Sequence, residues 1–225
     1  STSTRAPMNK LQIDIVSDIA CPWCAIGYAR LQQAIASLAD EISVEIRWHA
    51  FELNPDASGD GEPILQALSR KYGRSPQEME AAQADMMRIA EGLGLNFSRM
   101  QERYTRNTFD GHRLVKWAAE AGKQTDMKLA LFDAYFGHAA NIADHDILQA
   151  RAESVGLDGD QARALLASDR YTEEVRQDEA RWQQAGVTGV PAFILNQRYL
   201  ISGAQEPDTL VAALRKVANE AQEHP

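Results

Sequence analysis

Between Leu11 and Val16 the apolar Leu11, Ile13 and Ile15 alternate with Gln12 and Asp14, the period of two that marks a strand with one buried face. The period then lengthens. Cys24, Tyr28, Leu31, Ile35 and Leu38 recur every three or four positions, which predicts a helix over 22–39 with these residues on its inner stripe. Val44, Ile46, Trp48 and Ala50 alternate with Glu45, Arg47 and His49. That predicts a second strand, able to pair in parallel with the first through the intervening helix. Residues 10–51 read as a βαβ unit.

A start signal follows at Ser75-Pro76-Gln77-Glu78: serine can cap, proline fits the first turn and glutamate can reach back to close a capping box. Met79, Ala82, Met86, Ile89 and Leu93 carry the stripe onward. Further helices are predicted over 108–122, 125–139, 145–155, 159–167 and 172–185, with Gly122, Gly156 and Gly186 as stops. Strand alternation returns only afterwards. Ala192 to Leu195 and Arg198 to Ile201 read as a hairpin joined by the two-residue link Asn196-Gln197, where asparagine tolerates a positive φ. Leu210, Leu214, Val217 and Ala221 give a last helix from Pro207, with Glu206 and Asp208 at its positive end. The order βαβ, helices, ββα predicts an α/β chain in three segments. Residues 8–62 and 186–225 form the two parts of one domain, and 63–185 is a large all-helical insertion domain.

The chain has 225 residues, 44% of them apolar and 24% charged, with a net charge of −9. This balance excludes disordered, collagen-like and coiled-coil classes. Its basic residues form no cluster, so neither nucleic acid nor an anionic membrane is expected as a partner. No run approaches the roughly 18 apolar residues of a membrane span, and no apolar signal core stands near residue 1. Ser1 to Pro7 are polar and patternless, so Met8 reads as the native start and the cytoplasm as the expected compartment. A stable structural disulfide would be unusual there. The two cysteines are therefore expected to bind metal or to be redox-active.

Those cysteines are Cys21 and Cys24, in Cys21-Pro22-Trp23-Cys24, where the first strand gives way to the first helix. This spacing at a helix start brings both sulfurs within one turn. The helix N-terminus offers unpaired N–H groups and positive partial charge, which stabilise a thiolate on Cys21 and make it the nucleophile candidate. Cys24 falls on the apolar stripe, which suits a more buried thiol that resolves a mixed disulfide. Pro22 fits the first helical position. At the far end of the chain Gly189-Val190-Pro191 precedes a strand. A cis Val190–Pro191 bond there would leave the Val190 backbone free to pair with an extended substrate.

Ser17-Asp18-Ile19-Ala20-Cys21-Pro22-Trp23-Cys24 with Gly27, Phe51-Glu52-Leu53-Asn54-Pro55, Asn107-Thr108 with His112-Arg113-Leu114, and Gly186-Val187-Thr188-Gly189-Val190-Pro191 together resemble the DsbA-like, FrnE-type oxidoreductases. The resemblance covers nearly all of the chain beyond Met8. It implies a thioredoxin-like fold interrupted by a helical domain, a redox centre at Cys21 and Cys24, and a cis-proline loop at Pro191 packed against it. The glutathione transferase kappa and 2-hydroxychromene-2-carboxylate isomerase branch carries serine where Cys21 stands, so this pair favours dithiol chemistry. DsbA itself has a histidine inside its motif, whereas Pro22-Trp23 brings no charge, which implies a less depressed Cys21 pKa and a less oxidising couple. A second cysteine pair, found in some FrnE-type proteins, is absent.

The expected activity is thiol–disulfide exchange with a thiol or disulfide substrate, glutathione among the candidates and the redox-active disulfide standing in for a cofactor. The alternative is a glutathione-dependent isomerase or transferase, with the cofactor thiol near Asn54 and the Val190 backbone. Two cysteines fall short of a structural zinc site, and His49, His112, His138 and His145 lack ligand spacing with them, so no metal is expected. Trp23 reads equally as a substrate contact or as a cover over the sulfurs. The stripe of Met79, Met86 and Met127 reads as core rather than as a substrate groove. Asp18 stands as either a proton relay or a mere charge near the helix start. Substrate, direction of electron flow and oligomeric state are not encoded in any motif.

Overall fold

The computed structural model describes residues 9–223; the reading of Met8 as a native start lies outside them. A four-stranded sheet has the order β2-β1-β3-β4, built from β1 (Asn9–Ser17), β2 (Ile42–Ala50), β3 (Ala192–Leu195) and β4 (Tyr199–Ser202). β1 runs parallel to β2, with Ile15 opposite Trp48, and antiparallel to β3, with Ile15 opposite Phe193. α1 (Pro22–Ser37) makes the crossover between β1 and β2, and α9 (Pro207–Glu223) packs on α1 and on β1. This is the thioredoxin-like α/β arrangement, with a helical insertion between β2 and β3.

The inserted helices are α2 (Ile64–Tyr72), α3 (Pro76–Gly92), α4 (Phe109–Ala118), α5 (Gln124–Phe132), α6 (His145–Ser154), α7 (Gly159–Leu166) and α8 (Thr172–Gln184). Ser75 caps α3 as its sequence predicts, its hydroxyl accepting from the Glu78 N–H at 3.1 Å. α2 answers no start signal that the sequence displays. Instead of one helix over 125–139, α5 ends at Phe132 and the chain widens into a π turn at Asp133–Gly137. The hairpin link is three residues rather than two, since Leu195 pairs with Tyr199; Asn196 and Gln197 both take positive φ, 50° and 59°.

β1 is buried on both faces, not one. Leu11, Ile13 and Ile15 enter a core cluster with α1, α9 and residues of the inserted helices such as Leu114, Leu131 and Phe136. Val16 enters a smaller cluster with Trp182, Val187, Ala192 and Ile194 on the opposite face, under α8. Asp14, the polar half of the alternation, is buried there too, paired with His49. That histidine is a junction rather than a surface residue. Its Nε2 lies 2.7 Å from Asp14 and its Nδ1 2.8 Å from Asp178 of α8, while the Lys116 ammonium reaches Asp178 at 3.2 Å.

Candidate dithiol active site

β1 ends at Ser17 and the chain turns through Asp18, whose carbonyl accepts from the Cys21 N–H at 3.2 Å. Cys21 occupies the cap position of α1 in an extended conformation, with Pro22 first in the helix. No side chain caps this N-terminus and no acidic residue lies in its first turn. The free N–H groups and the positive end of the helix dipole are thus left to the Cys21 sulfur. Both cysteines are free thiols, buried, with Cys24 the deeper. Cys24 donates to Cys21 and so lowers its pKa; burial opposes this, and the backbone N–H groups of Cys24 and Trp23 add to the lowering. The same relation, with complete burial as the larger cause, pushes Cys24 well above the usual thiol range. One thiol is primed and the other held in reserve.

From the far end of the chain, the Val190 carbonyl comes within 3.9 Å of Cys21 Sγ. The Val190–Pro191 bond is cis, and the Pro191 carbonyl accepts from Gly203 N–H at 2.9 Å. Gly27 permits this approach of α1 to the loop. A Cβ on Gly27 would lie 3.2 Å from both Pro191 and Phe193, tight enough that one of them would have to shift. Trp23 is 40% exposed beside the thiols. Asn54 stands apart on an exposed turn after β2, its carbonyl accepting from Ala57 N–H.

Beneath the thiols lies Asp18, 1% exposed. Burial works to raise its pKa, but contacts with His112, the Leu53 N–H at 2.9 Å and Thr108 hold it below the ordinary range. His112 Nε2 is 3.1 Å from Asp18 and 3.2 Å from the Phe51 carbonyl. A carbonyl can only accept, so this nitrogen carries the hydrogen and donates to both. Burial, with Lys128 next, lowers the His112 pKa and keeps the ring neutral.

Two cations complete the surroundings, and the sequence reading named neither. Lys128 of α5, fully buried, feels the charges of Asp18, Cys24 and Cys21. Arg103, also buried, donates to Gln83 at 2.7 Å and to the Met100 carbonyl at 2.6 Å, and it too senses Cys21. Lys128 had a signal available: it shares the helical stripe of Leu131 and Phe132, where a charge is out of place. Arg103 lies in irregular chain and had none. Behind His112 a cavity of about 10 Å³, lined also by His49, Lys116, Lys128 and Asp178, has room for about one water. Among the described residues no group of three or more His, Cys, Asp or Glu side chains could hold a metal ion, and no helix is long and apolar enough to cross a membrane.

Sheet order, crossover helix and thiol pair at its N-terminus define a thioredoxin-like dithiol protein. More closely, residues 12–215 match the DSBA-like thioredoxin domain, and the chain belongs to that family. It is 31% identical over 208 residues to the uncharacterized protein YwbO of Bacillus subtilis, covering 91% of this chain and 96% of that one. A crystal structure of a probable DsbA oxidoreductase from Streptomyces coelicolor superposes with a TM-score of 0.88 at 36% identity, over 93% of this chain and 91% of the other. A 2-hydroxychromene-2-carboxylate isomerase shares the fold, with a TM-score of 0.71 at 18% identity over 95% and 99% of the two chains.

Proposed function

We propose that the chain is a thiol–disulfide oxidoreductase in which Cys21 attacks or is attacked and Cys24 resolves. The observation that carries this reading is the division of labour between the sulfurs: Cys21 sits at an uncapped helix N-terminus with a lowered pKa, and Cys24 lies behind it with a raised one. The Val190 carbonyl beside Cys21 supports a backbone contact with the partner, and exposed Trp23 a contact beside it. Similarity to a probable DsbA oxidoreductase at 36% identity supports the same class. This reading assigns the protein to the cytoplasm, with glutathione as one small thiol able to serve it; a serine in place of Cys21 would have favoured the isomerase branch.

Thiol trapping in a glutathione buffer tests it. The pair is expected to oxidise and reduce reversibly at a potential between about −120 and −270 mV. Cys24→Ser is expected to accumulate a mixed disulfide with glutathione at Cys21, and Cys21→Ser to form none. Full exchange by Cys21→Ser would overturn the assignment. Tight glutathione binding without turnover of disulfides would point to the isomerase or transferase alternative.

A further inference from the structure

Glu52 follows β2 and stands between two residues whose backbones hold the floor of the thiol site. On one side the Phe51 N–H donates to the Ser17 carbonyl at 3.1 Å, and the Phe51 carbonyl accepts from His112 at 3.2 Å. On the other, the Leu53 N–H donates to Asp18 at 2.9 Å. The Glu52 side chain leaves this floor for α8. There Arg176 Nη1 donates to Glu52 Oε2 at 2.6 Å and to Glu179 Oε1 at 3.1 Å. Two carboxyls thus meet at one nitrogen, and they lie within hydrogen-bonding reach of each other.

As two anions the pair would be poorly served. Glu52 is 8% exposed, and its Oε1 is buried with no donor, which is costly for a charged oxygen. Arg176 brings one positive charge to both carboxyls, and it is half-exposed, with the Phe109 ring centre 3.9 Å away. Among the described residues no second cation pairs with either carboxyl. His112 of α4 feels Glu52 but is kept neutral. Asp18 of the β1–α1 turn is engaged by His112 and Leu53, and Asp178 of α8 by His49 of β2 and Lys116 of α4. A proton answers the deficit: held by Glu179, it can be donated to the free Glu52 oxygen, so that a hydrogen bond replaces a repulsion. Burial first and Glu52 next push Glu179 up to about 8, against the lowering by Arg176.

We propose that Glu52 and Glu179 share one proton, which clamps the Phe51–Leu53 segment to α8, and that rising pH releases this clamp and with it the Leu53 N–H that holds Asp18. Its bearing on catalysis rests on the reading of Cys21 as the exchanging thiol. The proton belongs to the pair rather than to either residue. As pH rises through about 8 it leaves to water, and two anions remain on one arginine. The side free to move is the segment. α8 is fixed by Val175 and Trp182 in the core and by Asp178 on His49 and the Ala50 N–H, whereas Leu53 and Asn54 beside Glu52 are exposed. When the Leu53 N–H draws away from Asp18, the charge of that carboxylate is less compensated. Asp18 opposes ionisation of Cys21, so the released state makes the Cys21 thiolate harder to form.

Nuclear magnetic resonance of the full chain, labelled at the glutamate carboxyl carbons and the Leu53 amide nitrogen, reads both halves of the proposal. One glutamate carboxyl is expected to titrate with a midpoint near 8, and the Leu53 nitrogen shift to follow with the same midpoint. Glu179→Gln, whose amide can donate to Glu52 at every pH, is expected to abolish the carboxyl step and to hold the Leu53 shift constant between about pH 7 and 9. A wild-type chain with no glutamate titrating above about pH 7 overturns the proposal. So does a Leu53 shift that ignores the carboxyl step, or a step that survives in Glu179→Gln. Should that variant fail to fold, Glu52→Gln replaces it with the same expectation, and the wild-type titration decides by itself. Reaction with oxidised glutathione is scored apart: a chain that forms no mixed disulfide sinks the exchange reading and leaves the clamp to the carboxyl titration.

Discussion

Asp18 acts on Cys21 through its charge. It opposes ionisation of Cys21 while its oxygens are spent on His112 and the Leu53 N–H. Asp18→Asn keeps an oxygen able to accept from Leu53 and removes the charge. The alkylation-rate profile of Cys21 is therefore expected to shift to lower pH; an unchanged or higher transition would contradict this. The placement of the two thiols at a helix start, with Cys24 the deeper, was legible from four residues at a strand-to-helix change, because helix ends have local rules. Asp18 stood out by its nearness to Cys21, but whether it was buried could not be read, since its pairing with His112 joins residues 94 positions apart. Arg103 was invisible because it lies in irregular chain, where no periodicity marks a position as buried.

At the scale of elements, the His49 junction ties β1, β2 and α8 together and makes their union depend on pH. Burial disfavours the imidazolium, but contacts with Asp14 and Asp178 outweigh it and raise the His49 pKa above its ordinary 6.5. Its contribution is fully present below about 6.5 and is lost as pH rises through the higher folded value. The two aspartates, held below their ordinary 3.8 against the opposing effect of burial, contribute above about 3.8 and lose that as pH falls through their lowered values. The junction is thus strongest between about pH 4 and 6.5. Urea midpoints should be higher at pH 6 than at pH 8.5, and His49→Leu should flatten that difference while costing about 3–5 kcal/mol at pH 6. Equal midpoints in the wild type would refute the account. Here the sequence was a fair guide to which elements exist, since β1, α1, β2, the hairpin and α9 all follow the predicted periodicities. It failed where neighbours decide: Asp14 and Val16 of β1 are buried because α8 covers a face that alternation reads as open, and α5 widens at Asp133, four residues ahead of Gly137, with no breaker at the change itself.

Across the whole molecule one cluster of buried side chains runs from Ile13 and Phe193 of the sheet through Trp48 to Leu114, Phe136 and Leu165 of the inserted helices. Two parts sharing a core have little to gain from melting separately. Unfolding by urea is expected to give coincident transitions by near- and far-ultraviolet circular dichroism; two resolved steps would show that the helical segment holds together alone. The central place of β1 also has a consequence in time. Its partner β3 and the Val190 carbonyl come from the far end of the chain, 169 residues after Cys21, an interval of roughly ten to thirty seconds at about 5–20 residues per second on a ribosome. Throughout it β1 has an open edge and Cys21 lacks the wall that later stands beside it. Cys21 is thus open to small thiols from every side until the last strands of its own chain arrive.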